Sequence, residues 1–260
     1  MLRATSCALA LVLLAATPLS AQQPTLPQGQ GPVQSEVALA LVLAVDASGS
    51  VSNDRFELQK QGYAAAFRNR QVLNAIRSLS TQSIAVTMMQ WTGSELHVQT
   101  VDWTLVTDAT SVNALADAIE RSKRQLFGGG TSISGAIDYS RVLLTAGPFH
   151  GIRRVIDVSG DGANNRGRSV TSARNEAVAD GVSINGLPIL SLEPDLDRYY
   201  YDHVIGGPGA FMVPAKDYDT FADAILKKLI SEIAGVTPAR TNVSLARRAI
   251  ADRARRSVAR

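Results

Sequence analysis

Apolar residues run without polar interruption from Val37 to Val45 and stop at an acid, Asp46. A run of that kind predicts a strand covered on both faces, as in a parallel sheet. Helical spacing of Phe56, Tyr63 and Phe67 predicts a helix over 53–69. Residues 83–91 and 95–103 read as two strands. The Thr92-Gly93-Ser94 turn between them is far too short for a parallel crossover, so they form a hairpin. Leu115, Ala118, Ile119 and Leu126 align in a helix over 110–126, and Ile133, Ile137 and Leu144 in one ending near Thr145.

Further strands are expected at 153–159 and 182–190, with a helix at 169–180 between them. A short helix follows over 195–204, then an edge strand at 210–214. The last helix spans 217–234, with Phe221, Ile225 and Leu229 as its buried stripe. Strands alternating with helices, plus one hairpin, give an α/β fold. It is a doubly wound, mostly parallel sheet with one antiparallel edge strand and helices on both faces.

The ends differ from this body. Arg3, the apolar stretch from Cys7 to Ala16 and Leu19-Ser20-Ala21 read as a signal peptide over 1–21. That stretch is too short to span a bilayer, so no transmembrane helix is expected in the mature chain. Periplasmic or secreted localisation follows, and the Ala- and Arg-rich style suggests a bacterial source. Cys7 is the one cysteine, so neither disulfides nor a thiolate metal site are expected after cleavage. Residues 22–36 read as a flexible leader, 37–234 as one domain and 235–260 as a basic tail.

The formal charge of +3 belongs to those ends. Arginines 240, 247, 248, 253, 255, 256 and 260 face only Asp252 in the tail, which leaves the body acidic. This argues against nucleic acid as a partner. The tail reads as a solvated arm, with weak contact to an anionic surface as the alternative.

Three loops carry candidate chemistry: Asp46-x-Ser48-x-Ser50, Gly130-Thr131, and Gly160-Asp161-Gly162. In a doubly wound fold such loops converge at the carboxyl ends of the strands. They would gather two carboxylates and three hydroxyls, an oxygen-only set suited to Mg²⁺, with Mn²⁺ or Ca²⁺ as alternatives. The competing reading makes Asp46, Thr131 and Asp161 turn and cap residues. Asn164 and Asn165 read as turn residues or as supports for the metal ligands.

A metal-dependent hydrolase is the alternative function. Ser48 stands where an aspartyl-phosphatase would need its acid, and Gly-x-Ser-x-Gly is absent around it. His97, His150 and His203 have no spacing that suggests a base. Gly128-Gly129-Gly130 lacks the Gly-Lys-Ser/Thr ending of a phosphate loop. Trp91 and Trp103 read as packing, Arg153 and Arg154 as solvated. Tyr199-Tyr200-Tyr201 is either an interface or the packing of a short helix.

The three loops, in this order, resemble the von Willebrand factor A-type domain with its metal-ion-dependent adhesion site. The likeness covers nearly the whole domain. Among secreted bacterial members it is most similar to an uncharacterised group with little beyond a signal peptide and this domain. The resemblance implies that Ser48, Ser50 and Thr131 bring hydroxyls to the metal. Asp46 and Asp161 would bind directly or through water. It also implies a protein partner whose acidic side chain completes the metal site, and coupling of metal engagement to movement of the last helix. On this reading the protein is a binding module, not an enzyme.

Overall fold

The computed structural model describes residues 35–236. The expected signal peptide, most of the leader and the tail beyond Val236 lie outside them. Among the described residues no helix is long and apolar enough to cross a membrane.

Five strands form one sheet: β1 (Ser35–Asp46), β2 (Ile84–Trp91), β3 (His97–Val106), β4 (Phe149–Gly160) and β5 (Val182–Pro188). Their order is 3-2-1-4-5, and only β3 runs antiparallel to its neighbour. Around them lie α1 (Asn53–Arg68), α2 (Arg70–Arg77), α3 (Ala109–Arg121), α4 (Ile133–Ala146) and α5 (Val170–Ala179). The series ends with α6 (Leu196–Tyr199), a π-helical turn (Tyr200–Val204) and α7 (Phe221–Ala234).

β1 is the central strand. Leu39, Leu41, Leu43 and Val45 pack against α1, α3 and α7, while Ala40, Val42 and Ala44 face α4 and α5. Each large side chain of that set contributes about 1.5–3 kcal/mol on full burial, which explains the absence of polar alternation. Crossovers between parallel strands place helices on both faces, as expected.

Several local expectations change. β1 starts at Ser35, so the leader ends two residues earlier than its expected boundary at 36. Residues 210–214 are not a strand: Met212 makes one isolated bridge to Gly186, and Phe211 N donates to Asn185 Oδ1 at 2.9 Å. Pro208 and Gly209 precede the run and Pro214 ends it, so it covers the β5 edge as a loop. The last helix begins at Phe221, because Asp217 and Thr220 bond each other in a turn ahead of it. Arg153 and Arg154 are only partly exposed. Arg153 donates to the carbonyls of Glu232 and Ile233 at 2.7 and 2.6 Å, and Arg154 donates to that of Asp180.

Gly62 sets how closely α1 and α7 approach. A Cβ there would lie 2.6 Å from Phe221 Cδ1 and 3.3 Å from Ala222 Cα, and the Phe221 ring is held edge-on by Tyr63. Gly62→Ala gains about 1 kcal/mol of helix propensity and loses about 1–3 kcal/mol to overpacking. A net loss of about 1 kcal/mol is expected in urea unfolding; a gain would show that the ring moves freely.

Candidate functional site

The sheet's carboxyl edge brings the three loops together. β1 ends at Asp46, whose Oδ1 accepts from Ser48 N at 2.7 Å and so turns the chain. Ser48 and Ser50 hydroxyls lie 3.0 Å apart, and Ser50 Oγ donates to Asp161 Oδ1 at 2.5 Å. Asp161 N, at the end of β4, points to Asp46 Oδ2 at 3.4 Å. Thr131 Oγ1 lies 3.8 Å from the position a Cβ would take on Gly162. Asp46, Ser48, Thr131 and Asp161 are buried.

None of these five side chains caps a helix. Ser52 caps α1, accepting from Arg55 N; Ser132 caps α4, accepting from Gly135 N; Ser169 caps α5, accepting from Ser172 N. The orphan N–H groups of those helices are therefore served by neighbouring serines. This removes the capping reading for Asp46, Ser48, Thr131 and Asp161.

The glycine-rich loop reaches the site because it can turn the wrong way for other residues. Gly128, Gly129 and Gly130 have φ of 73°, 89° and 89°, where a Cβ is strained. Thr131 is then fixed from both sides: its N–H donates to Asn165 Oδ1 at 2.9 Å, and its carbonyl accepts from Asn165 N at 2.9 Å. Asn164 Oδ1 accepts from Ser134 N at 3.0 Å. Both asparagines thus join the second and third loops.

Two carboxylates lie in one buried place with little to balance them. Burial, and then the charge of Asp161, pushes the Asp46 carboxyl up to about 7. Arg55 Nη1 is 3.9 Å from Asp161 Oδ2, and its side chain is 34% exposed, so it screens only weakly. Tyr218 OH donates to Asp161 Oδ2 at 2.9 Å. The Tyr200 hydroxyl is buried without a hydrogen-bond partner among the described residues. Gly160 makes room for it: a Cβ there would be 3.0 Å from both Tyr200 Oη and Asp46 Oδ2.

Several contributors were not expected from sequence. Gln59, buried on α1, donates to the Asp46 carbonyl at 3.1 Å and accepts from Ser159 Oγ at 3.3 Å. The signal was present, since Gln59 stands on the apolar stripe of Phe56, Tyr63 and Phe67. Arg124 donates to the carbonyls of Ala47 and Ser48 at 2.9 and 3.1 Å. Glu193 accepts from Ala163 N at 3.2 Å, and Tyr199 accepts from Asn164 N at 3.3 Å. Of the tyrosine run, then, Tyr199 supports the third loop and Tyr200 is core.

Among the described residues no histidine bonds to the five candidate side chains. His97 stacks on Tyr139 with ring centroids 4.1 Å apart, His203 on Tyr199 at 4.9 Å. His150 is the second residue of β4, at the strand end opposite Asp161.

The model of the family described as "Protein of unknown function (DUF1194)" matches residues 36–237. The chain belongs to this family. No curated protein matches it. Solved structures share the DUF1194 chain's fold at low identity. The pilus adhesin SpaC from Lactobacillus rhamnosus GG is 16% identical, with a TM-score of 0.56 over 76% of this chain and 31% of that one. A von Willebrand factor type A protein from Catenulispora acidiphila is 17% identical, with a TM-score of 0.53 over 76% and 43%. Proximal thread matrix protein 1 from the mussel byssus is 15% identical, with a TM-score of 0.55 over 76% and 46%. That protein was solved with zinc in its MIDAS motif. The DUF1194 chain spans less than half the length of these three proteins. The likeness establishes a von Willebrand A-type α/β fold.

Proposed function

We propose that this protein is a secreted or periplasmic binding module of residues 37–234 that captures a protein partner through a bound divalent cation. Asp46, Ser48, Ser50, Thr131 and Asp161 would hold Mg²⁺, or Mn²⁺ or Ca²⁺ in its place. The observation that carries the reading is the pair of buried carboxylates, set among hydroxyls that serve no helix, with only the part-exposed Arg55 and Arg124 to offset their charge among the described residues. An all-oxygen donor set suits a hard cation. Bound there, the ion would supply an electrophilic centre, because neutral hydroxyls give it less charge than carboxylates would. A partner's Asp or Glu side chain would complete its coordination. Adhesin-type proteins among the fold's relatives support binding over catalysis.

In this reading Ser50 and Tyr218 orient Asp161, Ser48 N–H orients Asp46, and Asn165 fixes Thr131. The chain's own residues thereby preform the donor set.

Thermal unfolding with Mg²⁺, Mn²⁺, Ca²⁺ or EDTA tests it. Without cation, the folded Asp46 carboxyl titrates above its unfolded value. Its contribution to stability is then greatest at low pH and is lost as pH rises through about 7. The midpoint in EDTA is therefore expected to fall between pH 6 and pH 8. A cation displaces the proton, so the stabilisation it gives should be larger at pH 8. No cation-dependent shift at either pH would sink the proposal. Turnover of phosphate or acyl esters would favour the hydrolase instead.

A further inference from the structure

Three large apolar side chains stand exposed on the loops that enclose this one end of the sheet: Leu96 (43%), Phe127 (65%) and Leu192 (51%). Single exposed apolar residues are ordinary on a protein surface. These three differ because each stands on a segment that adjoins the candidate ligand loops, and because the largest stacks on a fixed cation.

The Arg124 guanidinium lies 4.7 Å from the Phe127 ring centroid. The same guanidinium is fixed by hydrogen bonds to Ala47 O, Ser48 O, Leu126 O and Asn53 Oδ1. Phe127 therefore stands on a cation already bound to the first metal-site loop, which favours one placement of the ring before binding. Leu96 lies over the glycine arch that leads to Thr131, since a Cβ on Gly129 would be 2.6 Å from its Cδ1.

The charges around the arch also select. Arg166 lays its stem over Gly130, with Cγ 2.5 Å from a Cβ there, and its guanidinium has no carboxylate partner among the described residues. Glu193 lies across the site, with Oε1 3.4 Å from a Cβ on Gly162, and Leu192 precedes it. An incoming acid is drawn toward the cation and Arg166, while a second acid beside Glu193 is opposed.

We infer that the rim of this site receives a peptide segment whose Asp or Glu is flanked by bulky aliphatic or aromatic residues, which pack on Phe127 and Leu96. The inference rests on the metal-binding reading above. It adds that recognition needs the flanks and not the acid alone. Buried aromatic anchors surrounded by a water-excluding rim are where binding energy concentrates.

The test uses the full mature chain, Mg²⁺ and three fluorescent peptides, capped at both ends, with Leu-Glu-Leu, Ser-Glu-Ser or Leu-Gln-Leu at the centre. The Leu-Glu-Leu peptide is expected to bind about tenfold or more tightly than Ser-Glu-Ser, and Leu-Gln-Leu not at all. In a Phe127→Ser, Leu96→Ser double variant that advantage should vanish, while the Mg²⁺-induced thermal shift stays. A Mg²⁺ shift without flank preference or without peptide binding overturns this inference alone, as does a preference that survives the double variant. Loss of both the Mg²⁺ shift and peptide binding overturns the metal-binding reading itself. Mg²⁺-independent binding of phosphatidylglycerol vesicles through Phe127, without peptide binding, would assign the rim to membranes and overturn the inference.

Discussion

Replacing Lys228 with methionine is expected to cost about 3–5 kcal/mol of stability, the largest loss foreseen for any single change outside the site. Lys228 is fully buried on α7, with Nζ 2.6 Å from Asp157 Oδ1 on β4 and 3.0 Å from Glu232 Oε1 one helical turn on. Asn185 Nδ2 donates to the same Glu232 oxygen at 2.6 Å. Methionine keeps the packing and removes the charge, leaving two buried carboxylates without a counter-ion. Breaking such a cluster by one partner is far costlier than replacing all of it. Adding Asp157→Asn and Glu232→Gln to Lys228→Met should therefore recover most of the loss.

The pH dependence has a definite sign. Burial holds the Asp157 carboxyl above the usual carboxylate range, with Lys228 opposing that rise. A folded-state value above the unfolded one gives stability that is present in acid and lost as pH rises through the folded value. Without Lys228 the Asp157 carboxyl is driven further toward the neutral form. The deficit of Lys228→Met should accordingly be smaller at pH 5 than at pH 8. For a domain of this size it amounts to roughly 6–20 °C in melting midpoint. A deficit under about 1 kcal/mol at pH 8 would mean that water already serves these carboxylates.

What could be read from the chain followed from burial pattern and connection length. β1 was legible because both its faces are covered, and the hairpin because three residues cannot bridge parallel strands. The three loops were legible because each places glycine beside an oxygen donor after a strand or before a helix. Helix α2 was not foreseen: in two turns it buries only Val72 and Ile76, too few to show a period. The apolar content of residues 210–214 misled because packing against an edge needs no ladder.

Buried polar residues were the larger omission. Asp157 interrupts the apolar run of β4, and Lys228 and Glu232 stand on the stripe of α7 with Ile225 and Leu229. Their partners lie on other elements, so each reads alone as an irregularity. Gln59 and Tyr218 were missed for the same reason. A polar residue on an apolar stripe marks a tertiary hydrogen bond, but the sequence does not say to what.

Asp46→Asn should abolish the response to cation while sparing the fold, and its contrast with Asp161→Asn separates charge from packing. Loss of a charged ligand is expected to weaken Mg²⁺ binding by at least about 100-fold, or about 2.7 kcal/mol. In EDTA at pH 8, however, the Asp46→Asn protein should be at least as stable as the parent. Its amide oxygen can still accept from Ser48 N, and the repulsion between two buried carboxylates is gone. Asp161 differs in degree, because its two oxygens accept from Ser50 and Tyr218 at 2.5 and 2.9 Å, whereas the second oxygen of Asp46 meets only Asp161 N at 3.4 Å. An amide retains only one acceptor, so in Asp161→Asn one hydroxyl must turn to accept from the amide N–H and its charge-assisted bond is lost, which is expected to cost about 1 kcal/mol in EDTA. Thermal unfolding of both variants, with and without Mg²⁺, checks the pair. If Asp46→Asn is instead the less stable in EDTA, the bond from Asp161 N to the second Asp46 oxygen outweighs the repulsion between the carboxylates. A stable Asp46→Asn protein that ignores Mg²⁺ means that its charge is kept at a cost to the free fold, which a bound cation offsets.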